Sequence, residues 1–441
     1  MNAARVWSRL GLPRPELRAW ALYDWADSAY VTTIISVLFP IYFGRVAAEG
    51  LSPEVATARF ALGSSVALGV VAVLSPVLGA LSDRAGILKK LLGFFLGLGV
   101  VSSAALGLVG PGQWVLGLVL FGVGNVGMAG SLVFYDTLLR HIARDDELDR
   151  ASTAGYALGY LGGGLLLSVH LLWVARPGWF GLPSTDAAFR LAFVSVAVWW
   201  LGFSLPLFRR IPEPRPSALT GVPPEVSFRA VLAQLRETFG ELRKYRQALL
   251  LILAYLLYSD GIGTIIRMST LYATGMGMGP GALVAAILFS QAVGVPATFL
   301  FGKVATRVGP KRALMVTLGV YACVSFLAYF MRTAAHFFVL ATVVGLVQGG
   351  SQALSRSLFT RLVPRHKATQ FFGFFSVFEK FSALFGPVVV AAMVGLTGSS
   401  RAAILSMLFF FVAGAVVLSR VDVEAGIRAA RDAEARAAAH A

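Results

Sequence analysis

The sequence predicts an all-α polytopic membrane protein with twelve transmembrane helices in two parallel-related six-helix halves. Three observations carry that prediction. The 441 residues are 57% hydrophobic and 14% charged, with a mean hydropathy of +0.75, whereas soluble domains carry about 25% charged residues. The apolar residues gather in runs of about 20, the length at which a helix crosses a bilayer. A loop pattern from the first half of the chain also returns in register in the second. The net charge of +16 does not indicate a nucleic-acid partner, because Lys and Arg sit between the apolar runs and form no patch interleaved with base-stacking aromatics. The single cysteine, Cys323, rules out an intrachain disulfide framework.

In order, the apolar runs cover 19–44, 59–82, 88–110, 113–138, 151–174, 187–207, 248–272, 282–304, 312–331, 335–360, 370–396 and 401–420. Residues 1–18 form a basic N-terminus with Arg5, Arg9, Arg14 and Arg18. The stretch after it is too long for a signal-peptide core and lacks a small-residue cleavage site, so the first helix is expected to be retained. An even count of spans places both termini on one side. The odd-numbered connections, with the span ends beside them, hold only Arg45, Arg59, Arg176, Arg190, Arg332 and Arg401, while most other basic residues lie in the termini and even connections. That asymmetry puts both termini in the cytoplasm of a multi-pass protein of the cell inner membrane. Residues 19–207 and 248–420 are the two expected six-helix bundles. The cytoplasmic linker between them, 208–247, opens with Pro212, Pro214, Pro216, Pro223 and Pro224, which forbid a continuous helix. Phe228, Val231, Leu232, Leu235, Phe239 and Leu242 then share one face, as in a helix lying on the membrane surface or packed on the ends of the bundle. The tail, 421–441, is rich in Ala, Arg and Glu and reads as a solvated cytoplasmic helix or disorder.

The division into halves is supported by an internal repeat. Gly79-Ala-Leu-Ser-Asp83-Arg84-Ala-Gly86 recurs as Gly302-Lys-Val-Ala-Thr306-Arg307-Val-Gly309 at an offset of 223, and Gly122, Asn125, Gly127, Thr137 and Gly163 meet Gly345, Gln348, Gly350, Thr360 and Gly386 at the same offset. Duplicated halves of this kind hold their substrate near the midplane and expose it alternately to each side. The Gly-x-x-x-Asp-Arg-x-Gly loop with Lys89 and Lys90 resembles the signature loop between helices two and three of the major facilitator superfamily. Gly155-Tyr-Ala-Leu-Gly159-Tyr-Leu-Gly162-Gly163-Gly164 resembles that superfamily's antiporter motif, with Tyr160 where the motif has Pro. More narrowly, Tyr23-Asp24-Trp25-Ala26-Asp27-Ser28-Ala29-Tyr30 with Phe39-Pro40 resembles the prokaryotic branch of the autophagy-related vacuolar effluxer-like family, where Asn is common at the position of Asp27. The resemblance implies the major facilitator fold, a monomer, and amino-acid efflux by analogy with the fungal members.

The candidate residues are those that do not belong in hydrocarbon. Asp24 and Asp27 lie roughly 8 and 12 Å into the first span at 1.5 Å per residue, where a carboxylate costs on the order of 2.5–3.5 kcal/mol near the centre and less near the interface. With Tyr23 they lie on a polar and aromatic stripe. Asp260 and Arg267 fall in the seventh span, and Glu379 and Lys380 are adjacent in the eleventh. Asn125 matches Gln348 by the repeat, with Gln352 one turn further, and Tyr156 stands in the register of Glu379. Each could bind substrate or protons, or could glue helices together. Asp83, Arg84, Arg307, Asp136 and Arg356 lie near cytoplasmic ends and read as a conformational latch. Gly122-Val-Gly124-Asn-Val-Gly127 sits inside an apolar helix with no preceding strand, so it is packing and not a nucleotide site. No metal-ligand spacing, Walker loop or serine elbow occurs, so no cofactor, metal or enzymatic activity is expected. The expectation is a secondary transporter moving a small polar solute, with amino acids as candidates, outward and coupled to protons. The rivals are a transporter of amphipathic lipids or drugs and a non-transporting receptor or scaffold.

Overall fold

The computed structural model describes residues 3–52, 87–214, 228–275, 280–397 and 400–439, with scattered positions between 55 and 70. Among them the chain is helical throughout. The elements are α1 (Ala3–Arg9), α2 (Pro15–Ala29, continued by wider π-helical turns to Ala47), α3 (Leu88–Leu106), α4 (Trp114–Ile142), α5 (Leu148–Ala175) and α6 (Thr185–Arg210). They are followed by α7 (Phe228–Lys244), α8 (Arg246–Gly275), α9 (Pro280–Val308), α10 (Pro310–Tyr329), α11 (Ala334–Leu362), α12 (Ala368–Thr397), α13 (Ser400–Ser419) and α14 (Val423–Ala439). Nine of the described helices are long and apolar enough to cross a bilayer, and a tenth counts if α13 is joined to α14, which leaves it at 59°. The second expected span, 59–82, lies largely outside the described residues, as do Asp83 and Arg84. The side chains of Arg267, Glu379 and Lys380 lie outside them as well.

Apolar side chains between Leu12 and Ile211 form one large core, and those between Leu242 and Val421 form another. In the first, α2 packs on α5 and α6, and α3 on α4 and α6; in the second, α8 and α10 pack on α13, and α10 on α11. The outside is apolar too, with Phe94 62% and Val198 68% exposed. A surface of that kind is stable only against hydrocarbon. The chain is a multi-pass membrane protein.

The wide turns of α2 flank a short α-helical stretch, Phe39–Tyr42, that holds Pro40. Pro40 lacks the N–H that would donate to the Ser36 carbonyl four residues back, and within the first wide stretch the Ser36 hydroxyl donates to the Val31 carbonyl, five residues back, at 2.8 Å. Local π-helical turns of this type re-satisfy backbone in a membrane helix.

Both termini lie at one end of the bundle, because Arg14 and Arg431 each bond the short connection between α4 and α5. Arg14 Nη2 meets Glu147 at 2.5 Å and Arg431 Nη2 meets Asp145 at 2.7 Å. The tail differs from a solvated helix. Its Gly426, Ala430 and Ala433 are buried, since small side chains on one face let α14 lie flat across α8 and α11. Helix α7 is docked as well: Gln370 Nε2 donates to Thr238 Oγ1 at 2.8 Å and Lys367 pairs with Glu241.

Candidate functional site

A cavity of about 530 Å³ runs between the two cores. On α11 its wall is Phe337, Leu340, Val344, Gln348, Gln352 and Arg356, a single helical face at three- and four-residue spacing. From Phe337 to Arg356 this face covers roughly 28 Å at 1.5 Å per residue, most of a bilayer core. Across from it stand Asp24, Asp27, Val31 and Ser36 of α2, Tyr156, Gly159 and Tyr160 of α5, and Gln291 and Gly294 of α9.

Arg356 closes the cavity at the end where the termini lie. Its side chain is 4% exposed, and the residues it bonds, Asp24, Asp136 and Ser152, all belong to the first half of the chain. Nη1 donates to Asp136 Oδ1 at 3.0 Å, Nη2 to Asp24 Oδ2 at 3.2 Å and to the Ser152 carbonyl at 3.0 Å, and Nε to Ser152 Oγ at 2.9 Å. The Tyr135 hydroxyl donates to the same Asp24 oxygen at 2.7 Å. Aromatic rings wall the guanidinium, with its carbon 4.3 Å from the centre of Tyr156 and 4.8 Å from that of Trp20. Charge-assisted bonds in several directions with stacked rings are what a planar guanidinium can do and an ammonium cannot. Removing one member of such a buried set leaves a charge uncompensated, so the set acts as a unit.

Further bonds join the two cores at the same end. Arg361 Nη2 meets Asp149 Oδ2 at 2.9 Å, Ser152 Oγ donates to the Ala353 carbonyl at 2.8 Å, and Arg140 Nε donates to the Val363 carbonyl at 3.3 Å. Arg140 Nη2 also reaches Glu434 of α14 at 3.1 Å. Higher up, the Tyr160 hydroxyl donates to Gln352 Oε1 at 3.1 Å.

Of the expected pathway residues, Asp24, Asp27, Tyr156, Gln348 and Gln352 line this cavity. Asp27 is 3% exposed and its Oδ1 has no hydrogen-bond partner among the described residues. Asp136 and Arg356, two of the residues read as a latch, form an ion pair at the foot of the cavity. Tyr23 instead stacks on Tyr135, centroids 4.8 Å apart, behind the wall. Asn125 does not mirror Gln348; its amide donates to the Phe121 carbonyl of its own helix at 2.8 Å. Asp260 is 1% exposed and turned toward Gly386 of α12, where a Cβ would stand 3.1 Å from its Oδ1, away from the described wall. Arg307 is exposed and forms no ion pair among the described residues.

Three contributors escaped the sequence reading. Ser152 opens α5, where a serine reads as ordinary helix-start chemistry. Gln291 had a visible signal, an amide within an apolar run. Arg140 counted only toward the charge asymmetry of the loops.

The fold and this cavity between two helical cores define a transporter of the major facilitator type. Solved structures share the architecture: the human organic anion transporter MFSD10 (TETRAN) superposes with a TM-score of 0.71 at 14% identity, over 95% of this chain and 100% of that one. FucP in its outward conformation gives 0.65 at 16% identity, over 93% and 100%. A bacterial homologue of the iron transporter ferroportin, in its outward-facing state, gives 0.66 at 14% identity, over 92% and 99%. In sequence, the Bacillus subtilis (strain 168) protein described as an uncharacterized MFS-type transporter, YxiO, is 36% identical over 92% of this chain and 94% of its own length. Autophagy-related protein 22 of Yarrowia lipolytica is 30% identical over 63% of this chain and 51% of that protein. The family described as "Vacuole effluxer Atg22 like" matches residues 49–431. The chain belongs to that family and is an MFS-type transporter.

Proposed function

We propose that this transporter exports a small polar solute, with amino acids among the candidates, by alternating access across the cell membrane, in exchange for protons and with both termini in the cytoplasm. The observation that carries the reading is Arg356, an arginine of the second core pinned at the foot of the cavity by Asp24 and Asp136 of the first. Among the described residues the charged bonds between the two bodies gather at one end, as in the closed half of a rocking device. Residues 19–207 and 248–420 serve as the rocking bodies. A proton on Asp24 or Asp136 would weaken the hold on Arg356 and so couple opening to proton supply. The mostly apolar wall, including Val31, Leu132, Leu167, Ile265, Phe337 and Val344, favours a second reading in which the solute has an amphipathic body.

The test is flux in proteoliposomes under an imposed pH gradient. Solute-dependent proton movement is expected for the wild type and is expected to be lost in Asp24→Asn. Proton movement that persists in Asp24→Asn, Asp260→Asn and Glu379→Gln together would refute the coupling. Absence of any flux with amino acids, organic acids, sugars and hydrophobic cations would refute transport of these solute classes.

A further inference from the structure

We infer that α14 is a clasp on the end of the bundle where the termini lie, one whose charges change partners when that end opens and whose grip is loosened by salt. The inference rests on the rocking of the two cores proposed above and adds to it an element that sets how readily this end opens.

Helix α14 belongs to the second core by chain and by packing. It leaves α13 at 59°, and the Asp422 amide N–H donates to Gln247 Oε1 of α8 at 2.8 Å. Gly426 lies so close to Leu362 of α11 and to Gln247 that a Cβ there would stand 3.0 Å from the Cβ of Gln247. Two of its side chains nevertheless reach the first core. Arg431 Nη2 meets Asp145 Oδ2 at 2.7 Å. Glu434 Oε1 accepts from Arg140 Nη2 at 3.1 Å, and from the Arg365 amide N–H of its own core at 2.8 Å. Each body therefore supplies one cation and one anion, and the pairs run crosswise between them.

When the cores part, these charges have other partners at hand. Arg140 Nη1 already stands 3.4 Å from Asp145 within the first core, and Arg431 and Glu434 are at i and i+3 on one helix, the spacing at which side chains meet. No charge of the four is stranded. Arg356 differs, because the acids that hold it, Asp24 and Asp136, both leave with the first core. The clasp is also wet, with the side chains of Arg431, Asp145 and Glu434 63%, 43% and 27% exposed, so dissolved ions screen it while the dry set around Arg356 is spared.

The experiment reads how often this end opens in the full-length protein in nanodiscs. Thr153 of α5 is buried in the first core, and a Cβ on Gly302 of the second would press on it. A lone cysteine from Thr153→Cys, in a Cys323→Ser background, is therefore reached by the neutral reagent N-ethylmaleimide when the cores part, and its labelling rate follows the open population. With α14 unaltered, labelling should be slow and should rise about twofold to fivefold as potassium chloride is raised from about 20 mM to about 0.5 M. Arg431→Glu with Glu434→Arg keeps the composition, net charge and internal pair of α14 but sets like charges against Asp145 and Arg140. This variant should label about threefold to thirtyfold faster at low salt, and salt should slow it. Misfolding would not produce that reversal of sign. Arg428→Gln, which cuts a pair with Glu424 inside α14, should label as the unaltered helix does. A transposed variant that labels at the unaltered rate, or that responds to salt with the same sign, would overturn the clasp. Arg361→Gln separates the two readings, because it cuts a cross-core pair with Asp149 that does not involve α14. Faster labelling in Arg361→Gln alone would leave rocking standing without the clasp, and a rate unmoved in every variant would count against both.

Discussion

At the scale of single residues, Arg356 is the side chain on which most of the described site depends. Arg356→Gln is expected to cost about 3–5 kcal/mol, because Asp24 and Asp136 lose their counter-charge in a dry place. Asp24→Asn in the same background should cost less than it does alone, with a coupling of about 0.5–3 kcal/mol in a double-mutant cycle read by chemical denaturation in detergent. Gly155 tests the same contact by volume. A Cβ there would press on Asp24 Oδ2 and stand 3.1 Å from Arg356 Nη2. Gly155→Ala should therefore destabilise by about 1–3 kcal/mol, measured as a lowered melting temperature. The sequence exposed Asp24, Asp136 and Arg356 as charges in or near apolar spans, because hydrocarbon makes such residues conspicuous. It could not pair them, since Asp24 and Arg356 are separated by 332 positions and their meeting depends on helix rotation.

At the scale of elements, the helices were legible from run length alone, and α7 from its one-sided apolar face. The docking of α14 was not. Alanine and glycine carry almost no hydropathy signal, and what seats α14 is the smallness of Gly426, Ala430 and Ala433 together with Glu434 and Arg431. Removing residues 423–439 should lower the melting temperature and make the terminal end more accessible to protease. The ion pairs around this end also predict a pH dependence. Burial would raise the Asp145 carboxyl, but the bond from Arg431 and the charge of Arg140 outweigh it and hold it below the ordinary carboxylate range. Burial likewise would raise the Glu147 carboxyl, but the bond from Arg14 outweighs it and holds it below the ordinary carboxylate range. An acid lowered in the folded state adds stability above its unfolded value of about 4, and that stability is lost as pH falls through the folded value. The melting temperature should therefore fall on acidification below about pH 4. The Asp145→Asn/Glu147→Gln double variant should be less stable at neutral pH and show a shallower fall.

At the scale of the whole molecule, bonding between the cores gathers at the end where the termini lie. A Cβ on Gly302 would meet Thr153, with 3.1 Å between the two Cβ atoms, close enough for a disulfide after a small adjustment. In a Cys323→Ser background, Thr153→Cys with Gly302→Cys should cross-link on oxidation, stop flux, and recover it on reduction. The duplicated architecture could be read from the 223-residue offset because glycines at close helix contacts recur in both halves. The offset misled at Asn125, since a shared register fixes position along a helix and leaves the side chain free to bond its own backbone. The Arg356 set has a thermodynamic consequence. In a carrier whose two cores rock about these bonds, the bonds are made in one arrangement and absent in the other, so each ~1.36 kcal/mol taken from them shifts the ratio of the two populations about tenfold.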